Sequence, residues 1–433
     1  MNTNDLFTTA LQLTDPWFVE KVEFLPSETK PEELHININF KRGATFLFYE
    51  NSEDDSTIMV GEDGTPIEFK ANDTVERTWR HLNFFQYKTY IHARVPKLRV
   101  GKGKGSTPTV RVPWARPGSG FTLLFEAWVL ELAKHVPPAA ISRIVGEHDT
   151  RLWRFINHYV DAARERVDES EVTNIGMDET SKKGHNYISI VVDLDTHNVL
   201  FVTDGKDATT IDRYVEDMKA HNGNPDNIKI VTCDMALGFK AATEKNFKNS
   251  TQVIDKFHVI KNANDAVNDV RKAEAKENSL LNRTQYIWLK NDENLTDKQK
   301  ALKLSLSKKH LKTSRACAMR EELQDIYSTA DNRNEAEAAL RKLCSWMMHS
   351  RLDRMKAFCN TIKDHWDGIL SYFDNRYTNA ILEGTNSVVQ KIKERSRGFR
   401  NVEYFKTLIY LVCGGLDIDA VIEEISASAI SAV

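Results

Sequence analysis

The sequence predicts an α/β core, a mixed sheet with flanking helices, that carries an all-helical insertion and follows a β-rich domain and a short helical segment. Three observations predict it. Short apolar runs that end in polar residues recur between residues 174 and 259, residues from about 266 to 370 carry apolar side chains at helical spacing, and within the first 95 residues His35 to Phe40 and the stretch around Phe84 to Val95 show period-two alternation.

Residues 174–178 read as a strand. Tyr187 to Asp193 and Val199 to Thr203 alternate on either side of a His197-Asn198 turn, which makes a hairpin. Asp207 to about His221 sets Ile211, Tyr214 and Met218 at helical spacing; Ile228 to Cys233 is an apolar strand; Ala236 to Phe247 is a helix; Gln252 to Ile254 is a further strand. Strand, hairpin, helix, strand, helix, strand is the order of a ribonuclease H-like fold.

Three carboxylates stand at telling places on these elements. Asp178 in IGMDET and Asp234 in IVTCDM end strands, while Glu383 in AILEGTNSVVQKIK opens a long helical stretch. A lone Asp at a strand end is ordinarily a turn former or a helix cap. Three acids converging from separate elements instead suit phosphoryl transfer, which uses two divalent cations about 3.5 to 4 Å apart. Mg²⁺, or Mn²⁺ in its place, prefers hard oxygen ligands, and clustered anions raise one another's pKa unless a cation neutralises them.

Asp178 and Asp234 lie 56 residues apart, but Glu383 follows 149 residues later, far more than a strand-to-helix connection needs. The excess reads as helical: Met319, Leu323, Ile326 and Tyr327 share a face, as do Leu340, Leu343, Cys344 and Met347, then Met355, Phe358, Cys359, Ile362, Trp366 and Ile369. Trp288 and Trp346 are core candidates first and base-stacking candidates second.

A net charge of −3 does not announce a polyanion partner, so the distribution decides. Residues 97–120 hold six Lys or Arg, among them Lys102, Lys104 and Arg111, with no acid and enough Gly, Pro and Ser to predict an extended linker or loop. After Glu383 come Lys391, Lys393, Arg395, Arg397 and Arg400 against Glu394 alone. Between the two tracts, Phe121 to His135, Pro138 to Val145 and Thr150 to Arg164 read as three helices with a turn at Gly146 to Asp149, a helix-turn-helix. Asp149 or Thr150 would cap the third helix, and Arg151 and Arg154 near its start would meet DNA bases.

The segments IGMDETSKKGHNYISIVVDLDT, VTCDMALGF, VIDKFHVIKNANDAVNDVRK and NAILEGTNSVVQKIKERSRGFRNVEYF together resemble the DDE transposases of bacterial insertion sequences, specifically the ISL-three branch. The resemblance spans roughly residues 75 to 415. It implies that Asp178, Asp234 and Glu383 bind the catalytic metals, that Asp255 and His258 form a supporting Asp-x-x-His pattern, and that the helical insertion holds the transposon end. The implied partners are transposon ends and target DNA, with a homodimer on DNA because two ends are joined in one event.

The same resemblance places an N-terminal zinc finger over WRHLNFFQYKTYIHARVPKLRV. Its cysteine positions fall near Phe48, Asn51, Val100 and Gly103, and all five cysteines (233, 317, 344, 359, 413) lie downstream, so no zinc is expected. Scattered thiols, a start without a signal-like pattern and no membrane-length apolar run predict a cytoplasmic protein, and the resemblance implies a bacterial, nucleoid-associated one.

The expected domains are residues 1–115 (β-rich), 116–168 (helix-turn-helix), 169–265 (first part of the core), 266–370 (insertion), 371–416 (last core helices) and 417–433 (tail). The expected function is cutting and joining of insertion-sequence ends. The alternative is a transposase-derived DNA-binding regulator or architectural protein without turnover, motivated by the lost finger cysteines and opposed by the complete acidic triad.

Overall fold

Period-two burial builds the first sheet. Helix α1 (Thr3–Ala10) is followed by β1 (Trp17–Leu25), β2 (Glu33–Phe40), β3 (Thr45–Leu47), β4 (Glu68–Arg80) and β5 (Lys88–Leu98), in the sheet order β1-β2-β5-β4-β3. Leu34, Ile36 and Ile38 alternate inward on β2, and Ile91, Ala93 and Val95 do so on β5, its parallel neighbour. Edge-on contacts of Trp114 with Trp17 and Trp79, at 5.1 and 5.6 Å between ring centroids, fill the centre.

The computed structural model describes residues 2–26, 32–49, 58–100, 107–183, 186–205, 209–235, 237–375, 380–399 and 401–430. The described part of the basic tract is not a free linker. Thr109 bridges to Lys97, and Val110, Val112, Trp114 and Ala115 are buried in the sheet's core. The cause is a short alternation, Val110, Val112, Trp114, set among the Gly, Pro and basic residues.

Helices α2 (Leu123–His135), α3 (Pro138–Val145) and α4 (Asp149–Arg164) form the expected triple. Gly146 ends α3 at φ 67°, ψ 34°, the left-handed conformation that favours glycine; its close neighbour is only the movable end of Lys88, so the backbone is what calls for glycine. The cap of α4 differs from expectation. His148 occupies the N-cap and its side chain accepts from the Thr150 N–H, which moves Asp149 into the first turn.

His81, after β4, is half-buried and its Nδ1 lies 2.8 Å from Thr122 Oγ1. Burial, helped by the neighbouring Arg80 charge, pushes its pKa down to about 4. The unfolded chain binds the proton from about pH 6.5 downward, so this contribution to stability is whole above 6.5 and is lost as pH falls toward 4. Urea unfolding at pH 7 and pH 4.5 is expected to show wild type losing about 2 to 3 kcal/mol more than His81→Gln over that interval.

The second unit comprises residues 167–400 and 413–415. Its strands are β6 (Asn174–Lys183), β7 (Asn186–Asp193), β8 (Val199–Asp204), β9 (Ile230–Cys233) and β10 (Thr251–Ile254), with α5 (Thr209–Ala220) after β8 and α6 (Leu237–Asn246) after β9. The sheet order is β10-β9-β6-β7-β8; β6, β9 and β10 are parallel and the two hairpin pairs antiparallel. This is a mixed sheet with flanking helices. His197 takes φ 67° in the β7–β8 turn.

The insertion is helical as its spacing predicts: α7 (Lys256–Ala275), α8 (Gln285–Leu289), α9 (Asp297–Ser307), α10 (Lys312–Thr329), α11 (Arg333–His349), α12 (Asp353–Asp364) and α13 (Trp366–Asn375), then α14 (Ala380–Arg395). Met319, Leu323, Leu343, Met347, Met355 and Ile362 are all buried in one core with the sheet. Trp288 belongs to that core, with Nε1 donating to Thr284 Oγ1 at 3.1 Å, while Trp346 is 42% exposed.

The last helices, α15 (Val402–Cys413) and α16 (Ile418–Ile430), do not end the second unit. Residues 401–412 and 416–433 group with residues 1–166 instead. Tyr404 stacks on Trp153 at 4.1 Å, Thr407 Oγ1 donates to Asn157 Oδ1 at 3.0 Å, and Arg164 lies over the Tyr410 ring. These contacts to one face of α4 explain why a stretch expected with the core returns to the first unit, and the helix of the expected tail groups there too. Among the described residues no helix is long and apolar enough to cross a membrane.

Candidate active site

Register brings three aspartates to one edge of the second sheet. Gly176 on β6 pairs with Thr232 on β9, and Ile254 on β10 pairs with Cys233. Two residues past the first pair stand Asp178 and Asp234; one past the second stand Asp255 and again Asp234. Neighbouring strands are about 4.8 Å apart, so these positions lie side by side; Asp234 and Asp255 follow the last residues of β9 and β10, whereas Asp178, expected to end its strand, lies within β6, which runs on to Lys183 because it stays paired with β7.

Helix α14 supplies the fourth side. Its approach to β6 is close because Gly176 has no side chain: a Cβ there would stand 2.7 Å from Leu382 Cδ1 and 2.9 Å from both Leu194 Cδ2 and Thr232 Oγ1. Asn386 Nδ2 donates to Asp178 Oδ2 at 2.5 Å, and the Gln390 amide donates to Thr180 Oγ1. Glu383, Asn386 and Gln390 follow i, i+3, i+7 spacing and share that face of the helix. Glu383 is exposed at its start, near enough for its charge to act on Asp255.

The electrostatics are those of crowded acids. Burial raises the pKa of Asp178; the Glu179 N–H, His258 and Asn386 oppose the rise and the Asp234 charge adds to it. Burial also pushes Asp255 up to about 6, opposed by the Phe257 N–H and His258 and reinforced by Glu383 and Asp178. His258 Nε2 lies 3.9 Å from Asp178 Oδ1 and 3.8 Å from Asp255 Oδ2, so the imidazole sits between two acids rather than in the apolar core. Asp255 also caps α7 through the Phe257 N–H at 3.0 Å.

The expected DNA-contacting residues fall elsewhere. Lys391, Arg395 and Arg397 are exposed on and just after the last turns of α14, and Lys393 is half-buried. Arg151 and Arg154 are exposed in the first turns of α4, Arg151 stacking on the Phe121 ring at 4.4 Å and pairing with Glu147. Arg111 lies over the Tyr49 ring at 4.3 Å. Lys102, Lys104 and Arg400 lie outside the described residues.

One further cluster was not anticipated. Glu169, Asp217 and His221 bring ligand atoms within 4.8 Å of one another, and among the described residues no other trio of His, Cys, Asp or Glu is that tight. The Glu169 N–H donates to His221 O at 2.8 Å and Tyr214 Oη donates to its carboxylate at 3.2 Å, which fastens the lead-in of β6 to the end of α5.

Residues 175–409, more than half the chain and including all four acids of the sheet edge, match a family model described as a transposase of the ISL3 type. The chain belongs to the ISL3 transposase family. Residues 110–160 of the transposase match the helix-turn-helix domain of the same family, over α2, α3 and most of α4. It is similar to the transposase for insertion sequence element IS1557 of Mycobacterium tuberculosis, 24% identical over 375 residues covering 78% of this chain and 82% of that one. It is likewise similar to the transposase for insertion sequence element IS1001 of Bordetella parapertussis, 25% identical over 354 residues covering 78% and 84%. DNA is therefore the transposase's partner.

The expectation that no zinc belongs to this transposase is corrected. Residues 61–99 match a zinc-finger family model of related transposases, and that match carries the correction. The segment has no cysteine; its imidazoles are His81, set against Thr122, and His92, whose Nε2 lies 2.7 Å from His35 Nδ1.

Asn386 and Gln390 are the site residues that reading the sequence missed, although their spacing from Glu383 in ILEGTNSVVQ was available as a signal. An amide holding a carboxylate that binds metal typically matters 10- to 100-fold. Asn386→Ala is expected to lower DNA cleavage by about that factor, with partial recovery at raised Mg²⁺, measured as a metal titration of cleavage rate.

Proposed function

We propose that the transposase cuts and joins the ends of its insertion sequence by two-metal phosphoryl transfer on a ribonuclease H-like core, with Asp178, Asp234 and Glu383 holding the metals. The observation that carries this reading is the register that sets Asp178 beside Asp234, with α14 bringing Glu383 to the same edge. The sheet order, a three-stranded antiparallel meander continued by two parallel strands, supports the fold assignment.

The donor set fits Mg²⁺ or Mn²⁺: all hard oxygens, with Asp178 and Asp255 raised by burial and by their acidic neighbours, a frustration that cations relieve. Bound metal would supply an activated water or 3′-hydroxyl and would neutralise charge at the leaving oxygen.

The chain's own groups do the positioning. Asn386 fixes the orientation of Asp178, and the Glu179 N–H, at 2.7 Å from Asp178 Oδ1, holds the other oxygen. His258 bridges Asp178 and Asp255, limiting repulsion at the sheet edge. No covalent protein intermediate is needed, since in-line transfer is mostly orientation and charge neutralisation. Arg151, Arg154, the basic end of α14, and Lys102, Lys104, Arg111 and Arg400 would meet phosphates or bases, and a homodimer on DNA would pair the two ends within the nucleoid.

Incubation of the purified transposase with a labelled duplex carrying its own element ends tests this. Nicking and strand joining in Mg²⁺ or Mn²⁺, absent with EDTA and restored by added Mg²⁺, is the expected result. DNA binding without cleavage in any divalent metal would overturn it.

A further inference from the structure

A cavity of about 470 Å³ opens in the first unit, between the strands of the zinc-finger-like segment and the lead-in to the helix-turn-helix. Its charged lining is cationic: Arg77, Arg111 and Arg116 contribute, and no Asp or Glu lines it among the described residues. Arg116 is already committed to the buried Glu126 carboxylate, 3.0 Å away, whereas Arg77 is exposed on β4. The rest of the wall is largely apolar or aromatic, with Leu47, Tyr49, Trp79 and Pro108, and adds the hydroxyls of Thr109 and Ser119.

Tyr49 is the second observation. It is 7% exposed, it lines the cavity, and its hydroxyl has no hydrogen-bond partner among the described residues. A buried hydroxyl left so is destabilising, and a ligand bearing acceptor oxygens would relieve it. Arg111 lies over the Tyr49 ring, 4.3 Å from its centroid, and so on the same wall of the cavity.

Planar guanidinia favour phosphate, and an apolar wall beside them favours a sugar and a base. The volume lies within the roughly 300 to 1,000 Å³ of small-ligand sites. A sphere of that volume is about 10 Å across, narrower than the roughly 12 Å major groove alone, so a double helix does not enter.

We propose that this cavity binds a single unpaired nucleotide of DNA, its phosphate against Arg77 and Arg111 and the Tyr49 hydroxyl, its sugar and base along the Leu47 and Pro108 wall. The site deepens the DNA-acting reading and rests on it. An end sequence with an unpaired nucleotide would thereby be distinguished from a fully paired one.

Anisotropy titrations of the full chain with two labelled end duplexes, one fully paired and one with a single unpaired nucleotide, test the assignment. Wild type is expected to favour the unpaired form about tenfold. Arg77→Ala and Arg111→Ala are expected to erase that preference and to reduce the salt slope by about one each. Tyr49→Phe, which keeps the ring under Arg111, is expected to weaken the preference, with thermal unfolding checking that each variant is folded. Variants that bind both duplexes as wild type does would overturn the proposal, as would competition by inorganic phosphate or free dAMP as effective as that of the unpaired duplex. A wild type that cleaves element ends without preferring the unpaired form refutes the cavity's role alone; one that binds no DNA refutes the reading beneath it as well.

Discussion

Asp234→Asn and Glu383→Gln are each expected to lower strand cleavage at least about a thousandfold while leaving the affinity for end DNA within about twofold. The two measurements are single-turnover cleavage and anisotropy on the same duplex. The argument is geometric. Asp234 follows the middle one of the three parallel strands, beside Asp178 on one side and Asp255 on the other. An amide is nearly the same size, so the sheet edge keeps its packing, but it removes the anionic oxygen that a hard cation needs. Glu383 approaches from the helix side of the same cluster, where its charge already acts on Asp255. Losing either would leave a site that holds DNA and cannot stabilise the charge on the phosphorus during transfer. Cleavage within tenfold of wild type in either variant would remove that residue from the metal site. His258→Ala is the informative control, because it removes a group between two acids without removing an oxygen ligand.

What could be read from the sequence depended on the range of the interaction. The strands around Asp178 and Asp234 were legible because alternation and apolar runs are local, and the helical insertion because Met319, Leu343 and Met355 recur at helical spacing. The Val110, Val112, Trp114 alternation is equally local, but it is short and is hidden by the basic and turn-forming residues around it. The cap of α4 was misplaced because Asp149 and Thr150 are commoner caps than His148, and only the backbone shows which residue is half in the helix. The return of α15 to α4 rests on Thr407 reaching Asn157 across 250 residues, and no pattern within either helix announces such a pairing. Asn386 and Gln390 were passed over for a different reason. An amide on a helix is ordinary until its partner is known, and the partners, Asp178 and Thr180, lie more than 200 residues earlier.

Gly176→Val is expected to abolish most cleavage, by about a hundredfold or more, without touching any residue that would hold metal. A Cβ at this position would meet Leu382, Leu194 and Thr232 at once, all below 3.0 Å, and the two further methyl groups of valine deepen each clash. Leu382 and Leu194 are buried, so neither side chain has free space to turn into, and overpacking of this kind costs about 1 to 3 kcal/mol. The cheapest relief is outward movement of α14, the helix that carries Leu382, Glu383 and Asn386. A displacement of about 1 Å is enough to cost a hundredfold in a reaction that depends on positioned ligands. The Asn386 bond to Asp178, at 2.5 Å, would be lost with it. DNA affinity is expected to stay near wild type, since the helix-turn-helix belongs to the other unit. Thermal unfolding, DNA binding and cleavage of Gly176→Val and the milder Gly176→Ala separate the possibilities. Cleavage should fall in the order of added volume while binding holds. A variant that cleaves normally would show that α14 accommodates the added atoms without moving, and that its closeness to β6 is packing alone.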